Sequence, residues 1–312
     1  MNIVCCTDHN YVMPTGVMIC SACVNHSNCR INFHVICNKD VTDEDKNDLT
    51  NIVRQYHHSI CFYPVEFEIP SSFTINRGRQ PKHITISAYY RLFLAQILPQ
   101  KIDKVLYLDC DIIVRHSLEE MYNTDIKNYA VGVVTDMGDG SLLFYSYLRY
   151  SPKYGYFNSG VLLINLSYWR NKNLLQDFID FATQYPERVI LHDQDIMNFV
   201  LKDQKKQLPL TYNFQHGFLF EELGISWEYE EELKETIKNP YILHFTGKKP
   251  WVKGCDHPYR DEFIKYKELT IWKETPLWKA PKTTWRMQIK KILVSWGLMG
   301  NNQPSFIQVP SL

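Results

Sequence analysis

Short apolar runs rich in Val, Ile, Tyr and Cys recur along the first half of the chain. Five of them have the composition of β-strands: Ile3–Cys6, Ile31–Cys37, Ile60–Tyr63, Lys104–Leu108 and Tyr129–Val134. Stretches with helical spacing of apolar residues separate them. Strands that alternate with helices predict an α/β fold, in which a mainly parallel, twisted sheet is flanked by helices. Ligands bind such sheets outside the carboxyl ends of the strands, so site residues are expected where strands end.

Two of the intervening helices can be placed from local signals. Thr42 and Asp45 form a capping box that leads into a helical run of apolar positions. A second helical pattern runs from about Thr85 to Leu98. A polar segment that contains Gly and Pro, at residues 71–83, precedes it and is predicted to be a loop.

The carboxyl-terminal part of the chain differs from the rest in charge. No Asp or Glu follows Glu274, whereas five basic residues occur between positions 279 and 291. Four apolar residues share one helical face there: Trp285, Ile289, Ile292 and Trp296. We predict a domain at 1–270 and a helical appendage at 271–312. Residues 279–296 are expected either to contact the inner face of an anionic membrane or to dock back onto the domain.

Composition narrows the class of protein. The 312 residues contain 34 Lys plus Arg and 34 Asp plus Glu, and this balance argues against nucleic-acid binding. The chain lacks an apolar run of about 18–20 residues, as a membrane span needs, and a signal-peptide pattern. The nine cysteines, several inside apolar runs, are interpreted as reduced thiols, so we expect a cytoplasmic protein.

The candidate chemistry begins at the end of the Lys104–Leu108 strand, where Asp109 and Asp111 are separated by one residue. In an extended chain, positions i and i+2 face the same side, about 6.5–7 Å apart. Two carboxylates placed in this way can address one divalent cation. The D-x-D pattern occurs three times in the chain, and only this instance follows a strongly apolar strand. The alternative is a pair of acids without a metal.

Longer motifs accompany this pair of acids. K-V-L-Y-L-D-C-D-I-I-V, Y-F-N-S-G-V-L-L-I-N-L, H-D-Q-D-I-M-N and H-F-T-G-K-K-P-W occur in this order. Together they resemble the family 8 retaining glycosyltransferases, and among these the bacterial lipopolysaccharide α-galactosyl- and α-glucosyltransferases. The resemblance spans roughly residues 1–265. It implies a GT-A fold, UDP-glucose or UDP-galactose as the donor, and Mn²⁺, with Mg²⁺ as the alternative ion.

The resemblance also implies roles for individual residues. Asp8 and Asn10 are implied to hold the uridine of the donor, and Arg91 is implied to contact the donor. Those implied to bind the metal are Asp109, Asp111 and His244. Those implied to surround the transferred sugar are Asn158 and the three catalytic candidates Asp136, Asp193 and Gln194. Gly247 and Lys249 are implied to grip the diphosphate.

Several of these assignments have structural alternatives. The common family pattern H-x-x-G-x-x-K-P-W is one residue longer than the sequence found here, so either Lys248 or Lys249 could be the phosphate contact. The adjacent Pro-Trp favours Lys249. His244 could be a core residue, as a lone His at a strand end often is. Asp193 could be a helix N-cap, and Asp136 could open a turn.

These observations predict a metal-dependent retaining hexosyltransferase that acts on a lipopolysaccharide core or another glycan or glycolipid. The alternatives are a metal-dependent nucleotide-sugar hydrolase or nucleotidyltransferase, and a binding module without turnover. Retention is implied by the resemblance. Because the amide of Gln194 is a poor nucleophile, we favour same-face attack through an oxocarbenium-like ion pair. In that reaction the β-phosphate of the donor accepts the proton of the acceptor hydroxyl.

Overall fold

A seven-stranded sheet forms the centre of the molecule. Its strands lie in the spatial order β3 (Ser59–Pro64), β2 (Asn32–Cys37), β1 (Asn2–Thr7), β4 (Lys104–Leu108), β7 (Phe157–Asn165), β6 (Val131–Thr135) and β8 (Lys205–Gln207). Strand β7 runs antiparallel to both of its neighbours, and the other adjacent strands are parallel. The predicted mainly parallel sheet is therefore confirmed.

A second, three-stranded sheet lies beside the first. It contains β5 (Ile112–Val114), β10 (Ile242–His244) and β9 (Phe214–Gln215), in that spatial order. The chain passes from the large sheet to the small one between β4 and β5, through residues 109–111. This computed structural model describes residues 1–26, 29–68, 70, 73, 86–220 and 224–280.

Ten α-helices occur in the described residues. They are α1 (Val12–Val24), α2 (Asp43–Gln55), α3 (Leu94–Ile97), α4 (Glu119–Asn123), α5 (Leu142–Leu148), α6 (Leu166–Lys172), α7 (Leu174–Gln184), α8 (Asp193–Leu201), α9 (Glu230–Thr236) and α10 (Arg260–Glu268). Seven short 3₁₀ segments accompany them: His9–Tyr11, Ile86–Phe93, Pro152–Tyr154, Pro186–Arg188, Leu210–Asn213, His216–Leu219 and Trp227–Tyr229. The predicted capping box of α2 is confirmed, because the side chains of Thr42 and Asp45 accept hydrogen bonds from each other's backbone N–H.

The predicted α-helix from Thr85 to Leu98 is correct only in its last turn. Ile86–Phe93 is a 3₁₀ helix, and α3 follows it. All five consecutive residues from Tyr89 to Phe93 are buried. This segment has no solvent-facing side, so its geometry follows its packing contacts instead of an amphipathic α-helical period.

Two apolar cores, one on each face of the large sheet, explain why its central strands are apolar throughout. Along β1, Ile3 and Cys5 belong to one core, and Val4 and Cys6 belong to the other. Polar side chains that could carry chemistry are therefore expected mainly near the ends of such strands, where side chains leave the core. The nine cysteines are all free thiols, as the sequence predicts.

Two tryptophans that follow α10, Trp272 and Trp278, pack against the domain. The ring of Trp272 lies so close to α1 that a Cβ atom on Gly16 would be 2.1 Å from it. Trp278 lies 5.8 Å from the ring of Tyr11 and 5.7 Å from that of Trp251, measured between ring centroids. Of the predicted membrane-contacting segment 279–296, all but residues 279 and 280 lie outside the described residues. Within the described part of the chain, none of the helices combines the length and hydrophobicity that crossing a membrane requires.

Candidate active site

A cavity opens at the carboxyl ends of β1 and β4, the position expected for a ligand site in a parallel sheet. Asp8, Tyr11, Arg91, Asp109, Asp111 and Lys249 are among the side chains that line it. Two of these residues, Asp8 and Tyr11, directly follow β1, and the acids Asp109 and Asp111 follow β4. The sheet thus brings together residues from the beginning, the middle and the end of the domain.

Asp109, Asp111 and His244 converge at this cavity. Their ligand atoms all lie within 4.8 Å of one another. His244 ends β10, which pairs antiparallel with β5 in a register that places His244 opposite Ile112. Because Ile112 directly follows Asp111, this register puts the imidazole Nε2 3.2 Å from Asp111 Oδ1 and 3.8 Å from Asp109 Oδ2. Two carboxylates and one imidazole form a group that could hold a metal ion.

The two acids do not sit on an extended strand, as the D-x-D spacing predicted. They occupy the turn between β4 and β5, where the chain changes from one sheet to the other. The backbone N–H of Asp109 nevertheless donates a hydrogen bond to the carbonyl oxygen of Gly160 in the neighbouring strand β7 (2.9 Å). The carboxylates therefore converge because a tight turn brings them together, and strand alternation is not the cause.

Gly160 on β7 is a site residue that the sequence reasoning missed. A Cβ atom at this position would lie 2.2 Å from His244 Cε1 and 2.7 Å from Asp109 Oδ2. Real Cβ atoms do not approach other atoms so closely, so only glycine fits beneath these two side chains. The sequence does contain a signal for this residue, since it is the glycine of the Y-F-N-S-G motif and lies inside an apolar strand.

Arg91 connects two of the predicted acids. Its guanidinium lies 2.9 Å from Asp109 Oδ1 through Nη2 and 3.1 Å from Asp193 Oδ2 through Nε. Nη1 donates to Ser159 O at 2.6 Å. Burial lowers the pKa of Arg91, but Asp109 and Asp193 more than offset this, and the pKa lies well above its ordinary value. Arg91 is thus a permanent positive charge that holds the two carboxylates in place.

The structure distinguishes the two candidate lysines by position. Lys249 lines the cavity, and its Nζ lies 2.5 Å from Asp111 Oδ2. Lys248 pairs with Asp256, 2.6 Å away, and its side chain is about half exposed. Burial alone would raise the pKa of Asp111, but Lys249 and His244 hold it well below its ordinary value. Asp111 is therefore ionised at neutral pH.

Asp136, Asn158 and Gln194 form a connected group beside the candidate metal ligands. Asn158 Nδ2 donates to Asp136 Oδ2 (3.1 Å) and to Gln194 Oε1 (3.3 Å). Gln194 Nε2 donates to the same Asp136 oxygen (3.2 Å). Burial raises the pKa of Asp136 even though these hydrogen bonds favour its ionised form.

Asp193 and Gln194 are presented by the first turn of α8. The preceding residue, His192, has φ 55° and ψ −129°, an uncommon conformation for a residue with a side chain. Asp195 stabilises this turn, since its Oδ2 accepts hydrogen bonds from the N–H groups of Ile190 (2.6 Å) and Leu191 (2.5 Å). Burial raises the pKa of Asp193, and Arg91 opposes that rise. Asp193 does begin the helix, but its side chain faces Arg91 and lies in the site.

The other predicted residues differ in how near the cavity they lie. Asp8 is buried, and its carboxylate accepts a hydrogen bond from Tyr11 N–H (3.2 Å). Asn10 is exposed in the 3₁₀ turn after β1 and is absent from the described residues that line the cavity. Gly247 packs on His216, since a Cβ atom would lie 2.5 Å from His216 Cδ2.

Two further residues at the site were not predicted. The ring of Tyr107 lies 4.5 Å from Arg91 Cζ, and its hydroxyl donates to Asp109 Oδ1 (2.7 Å). Asn213 Oδ1 lies 2.8 Å from His244 Nδ1. Tyr107 belongs to the apolar β4 pattern, and Asn213 has no motif around it, so local sequence offered no signal for either.

Comparisons with known proteins agree with this architecture. Residues 2–255 match the sequence model of glycosyl transferase family 8. General stress protein A of Bacillus subtilis is 31% identical over 278 residues, which cover 87% of this chain and 94% of that protein. The lipopolysaccharide 1,2-glucosyltransferase of Escherichia coli is 28% identical, with 88% of this chain and 80% of that protein covered. The crystal structure of the galactosyltransferase LgtC with donor and acceptor sugar analogues superposes with a TM-score of 0.77 at 26% identity, over 88% of this chain and 99% of LgtC. The GT-A fold that the sequence resemblance implied is thereby confirmed.

Proposed function

The chain belongs to glycosyl transferase family 8, and from that membership we propose that it is a metal-dependent, retaining hexosyltransferase. The proposed donor is UDP-glucose or UDP-galactose, and the proposed acceptor is a saccharide such as a lipopolysaccharide core. The convergence of Asp109, Asp111 and His244 beside Lys249 is the observation that carries the proposal. Similar proteins named as a glucosyltransferase and a galactosyltransferase support these two donors.

The donor set fits a divalent ion. Asp109, Asp111 and His244 would hold Mn²⁺, or Mg²⁺ as the second choice, and the imidazole nitrogen favours Mn²⁺. When bound, such an ion stabilises negative charge on the oxygens of the leaving diphosphate. Lys249, 2.5 Å from Asp111, supplies a further positive charge for the same leaving group.

Other residues of the chain are proposed to bind the nucleoside and the sugar of the donor. Asp8 and Tyr11 line the cavity where a nucleoside can bind, and a tyrosine there can offer an aromatic surface for stacking of a base. The proposed roles of Asn10 in uridine binding and Gly247 in diphosphate binding stay predictions. Asp136, Asp193, Asn158 and Gln194 provide polar groups for the transferred sugar.

Residues 1–270 are the proposed catalytic domain, and membrane contact through 279–296 stays a prediction.

The proposed chemistry is same-face transfer. The bond between the anomeric carbon and the UDP oxygen breaks, and its electrons remain on the diphosphate. The acceptor oxygen then bonds to the anomeric carbon on that same face, and its proton passes to the departing phosphate oxygen. Gln194 and Asp136 hold the sugar while positive charge develops on it, because their oxygens are fixed by hydrogen bonds before the reaction begins.

Metal removal tests the proposal directly. UDP release from UDP-glucose or UDP-galactose is expected to require Mn²⁺, to stop with EDTA, and to resume when excess Mn²⁺ is restored. A coupled assay for UDP, run with and without a panel of oligosaccharides, measures this. Release stimulated by a saccharide supports transfer. Release that no saccharide stimulates indicates a hydrolase, and donor binding without release indicates a binding module.

Gly160→Ala is expected to lower turnover by about 100-fold, since an error of 1 Å at a catalytic group costs about that much. The new Cβ would lie 2.2 Å from the His244 ring, so a proposed metal ligand must move. Steady-state kinetics together with Mn²⁺ titration measure the effect.

Gly132→Ala on β6 is the matched control for this substitution. Its nearest contact would be Leu208 Cδ1 at 3.1 Å, the end of a flexible side chain away from the metal ligands. Equal losses in the two variants would show that strand packing, and not the metal site, is the cause.

A further inference from the structure

Asn213 is a fully buried amide between the metal ligands and the sugar-binding residues. It ends the 3₁₀ segment Leu210–Asn213 and directly precedes β9, which pairs with β10. Its Oδ1 lies 2.8 Å from His244 Nδ1, and its Nδ2 lies 3.0 Å from Asn158 Oδ1. An amide has one accepting end and one donating end. When the partner on one side fixes which end faces it, the end that faces the partner on the other side is fixed as well.

The direction is set by a backbone group. Gly160 N–H can only donate, and it lies 3.0 Å from one side-chain atom of Asn158. That atom must therefore be the oxygen, Oδ1. The orientation also fits the other end of the amide, where Nδ2 meets the carboxylate of Asp136 at 3.1 Å.

The orientation of Asn158 also fixes that of Asn213, and through it the tautomer of His244. Because Asn158 presents its oxygen, Asn213 must turn its NH₂ group toward it and its own Oδ1 toward His244. An amide oxygen only accepts, so His244 Nδ1 must carry the proton. In the neutral imidazole, the lone pair of Nε2 then faces Asp111 and Asp109. Metal-binding histidines depend on such partners to fix the tautomer and the ring orientation.

We infer that Asn213 is a positioning residue, which relays the hydrogen-bond direction set by the Gly160 backbone to His244 and keeps Nε2 available for a divalent cation. The inference rests on the proposed metal site. Asn158 lies on this path and also bonds Asp136 and Gln194, so the same chain of amides joins the metal ligand to the sugar-binding residues.

Two substitutions of Asn213 separate its two hydrogen bonds. Asn213→Leu is similar in size and removes both bonds, and it is expected to weaken Mn²⁺ binding by 10- to 100-fold. Asn213→Asp can still accept from His244 Nδ1–H, so its Mn²⁺ affinity should stay within about threefold of wild type. The carboxylate of the Asn213→Asp variant has no proton to donate to Asn158 Oδ1. The hydrogen bond to Asn158, a proposed sugar-binding residue, is therefore lost, and kcat should still fall. Calorimetric Mn²⁺ titration of the full chain with UDP, combined with steady-state kinetics, gives both values.

Asn198→Leu is the matched control. Asn198 is equally buried, and its amide bonds both backbone groups of Phe157, at 2.8 and 2.7 Å, and the backbone oxygen of Gln194, at 3.0 Å, instead of a proposed metal ligand. It should cost stability yet keep Mn²⁺ affinity within about threefold of wild type.

Nitrogen-15 NMR of labelled histidine gives a readout that does not depend on activity. The His244 signals, assigned by their loss in His244→Gln, should show a protonated Nδ1 in the metal-free wild type. In Asn213→Leu, the proton should shift toward Nε2, which can donate to Asp111. Wild-type Mn²⁺ affinity and an unchanged Nδ1 proton in Asn213→Leu would overturn the inference.

Two other outcomes are also decisive. If Asn213→Leu does not fold, Asn213→Asp decides: reduced kcat with near-wild-type Mn²⁺ affinity supports the relay, and unchanged kcat overturns it. If the wild-type protein does not bind Mn²⁺, the proposed metal dependence fails. The His244 tautomer in wild type and Asn213→Leu then still decides the role of Asn213.

Discussion

Asp111→Asn is expected to lower kcat/KM for sugar transfer by about 10³-fold or more. The substitution keeps the size of the side chain and removes the negative charge that faces both His244 and Lys249. A bound metal ion contributes several kcal/mol of charge stabilisation, and ~4 kcal/mol corresponds to about 10³ in rate. Mn²⁺ affinity should fall with activity, because an amide oxygen is a weaker ligand than a carboxylate. Steady-state kinetics over a Mn²⁺ series measure both quantities.

The chain contains a matched control for this substitution. Asp43 and Asp45 form the same D-x-D pattern in the first turn of α2, where Asp43 is 95% exposed and pairs with Lys46. Asp43→Asn is expected to leave turnover unchanged, since surface ion pairs contribute only about 0–1 kcal/mol. Near-normal, EDTA-sensitive turnover in Asp111→Asn would contradict the assigned metal site.

Gln194→Ala is expected to lower kcat/KM by about 10³-fold while UDP affinity stays close to wild type. Removing one fixed hydrogen-bonding group that stabilises charge in a transition state typically costs 10²–10³-fold. Here the change also removes the partner of Ser159 N–H (3.0 Å) and of Asp136 Oδ2 (3.2 Å). UDP should still bind, because Gln194 belongs to the proposed sugar-binding group and is absent from the described residues that line the cavity.

The measurements are turnover with UDP-hexose and competitive inhibition by UDP. Gln176→Ala on α7, whose amide bonds Asp180 at 2.8 Å on the surface, is the control. If UDP affinity falls in parallel with turnover in Gln194→Ala, general disruption of the site explains the loss. Unchanged turnover would remove Gln194 from the proposed mechanism.

Several local patterns were sufficient to predict parts of this structure. The strands near Ile3, Ile31, Ile60 and Lys104 lie within a residue or two of their predicted positions. The capping box of α2 was predictable because its hydrogen bonds connect residues three apart. The helical pattern from Thr85 to Leu98 is present in the sequence, yet Ile86–Phe93 is a 3₁₀ helix in which Tyr89 to Phe93 are all buried, so the predicted helix type is wrong there.

Motif spacing identified the acids at the site but misjudged their geometry. The D-x-D pattern predicts the end of an extended strand, whereas Asp109 and Asp111 lie in the turn that connects two sheets. A turn cannot be distinguished from a strand end when the next strand, β5, begins at the following residue. The closeness of the acids was therefore predicted, and the cause given for it was wrong.

The sequence by itself determined the fold class, the strand ends that carry chemistry, and the family to which the chain belongs, because each depends on residues that are neighbours along the chain. Only the tertiary structure decided that Lys249 and not Lys248 lies at the cavity, that Gly160 must lack a side chain, and that Asn213 bonds the imidazole of His244. These features depend on the register between β5, β7, β9 and β10, whose residues lie up to about 130 positions apart. Contacts across such separations arise only when the sheets assemble, so no local pattern records them.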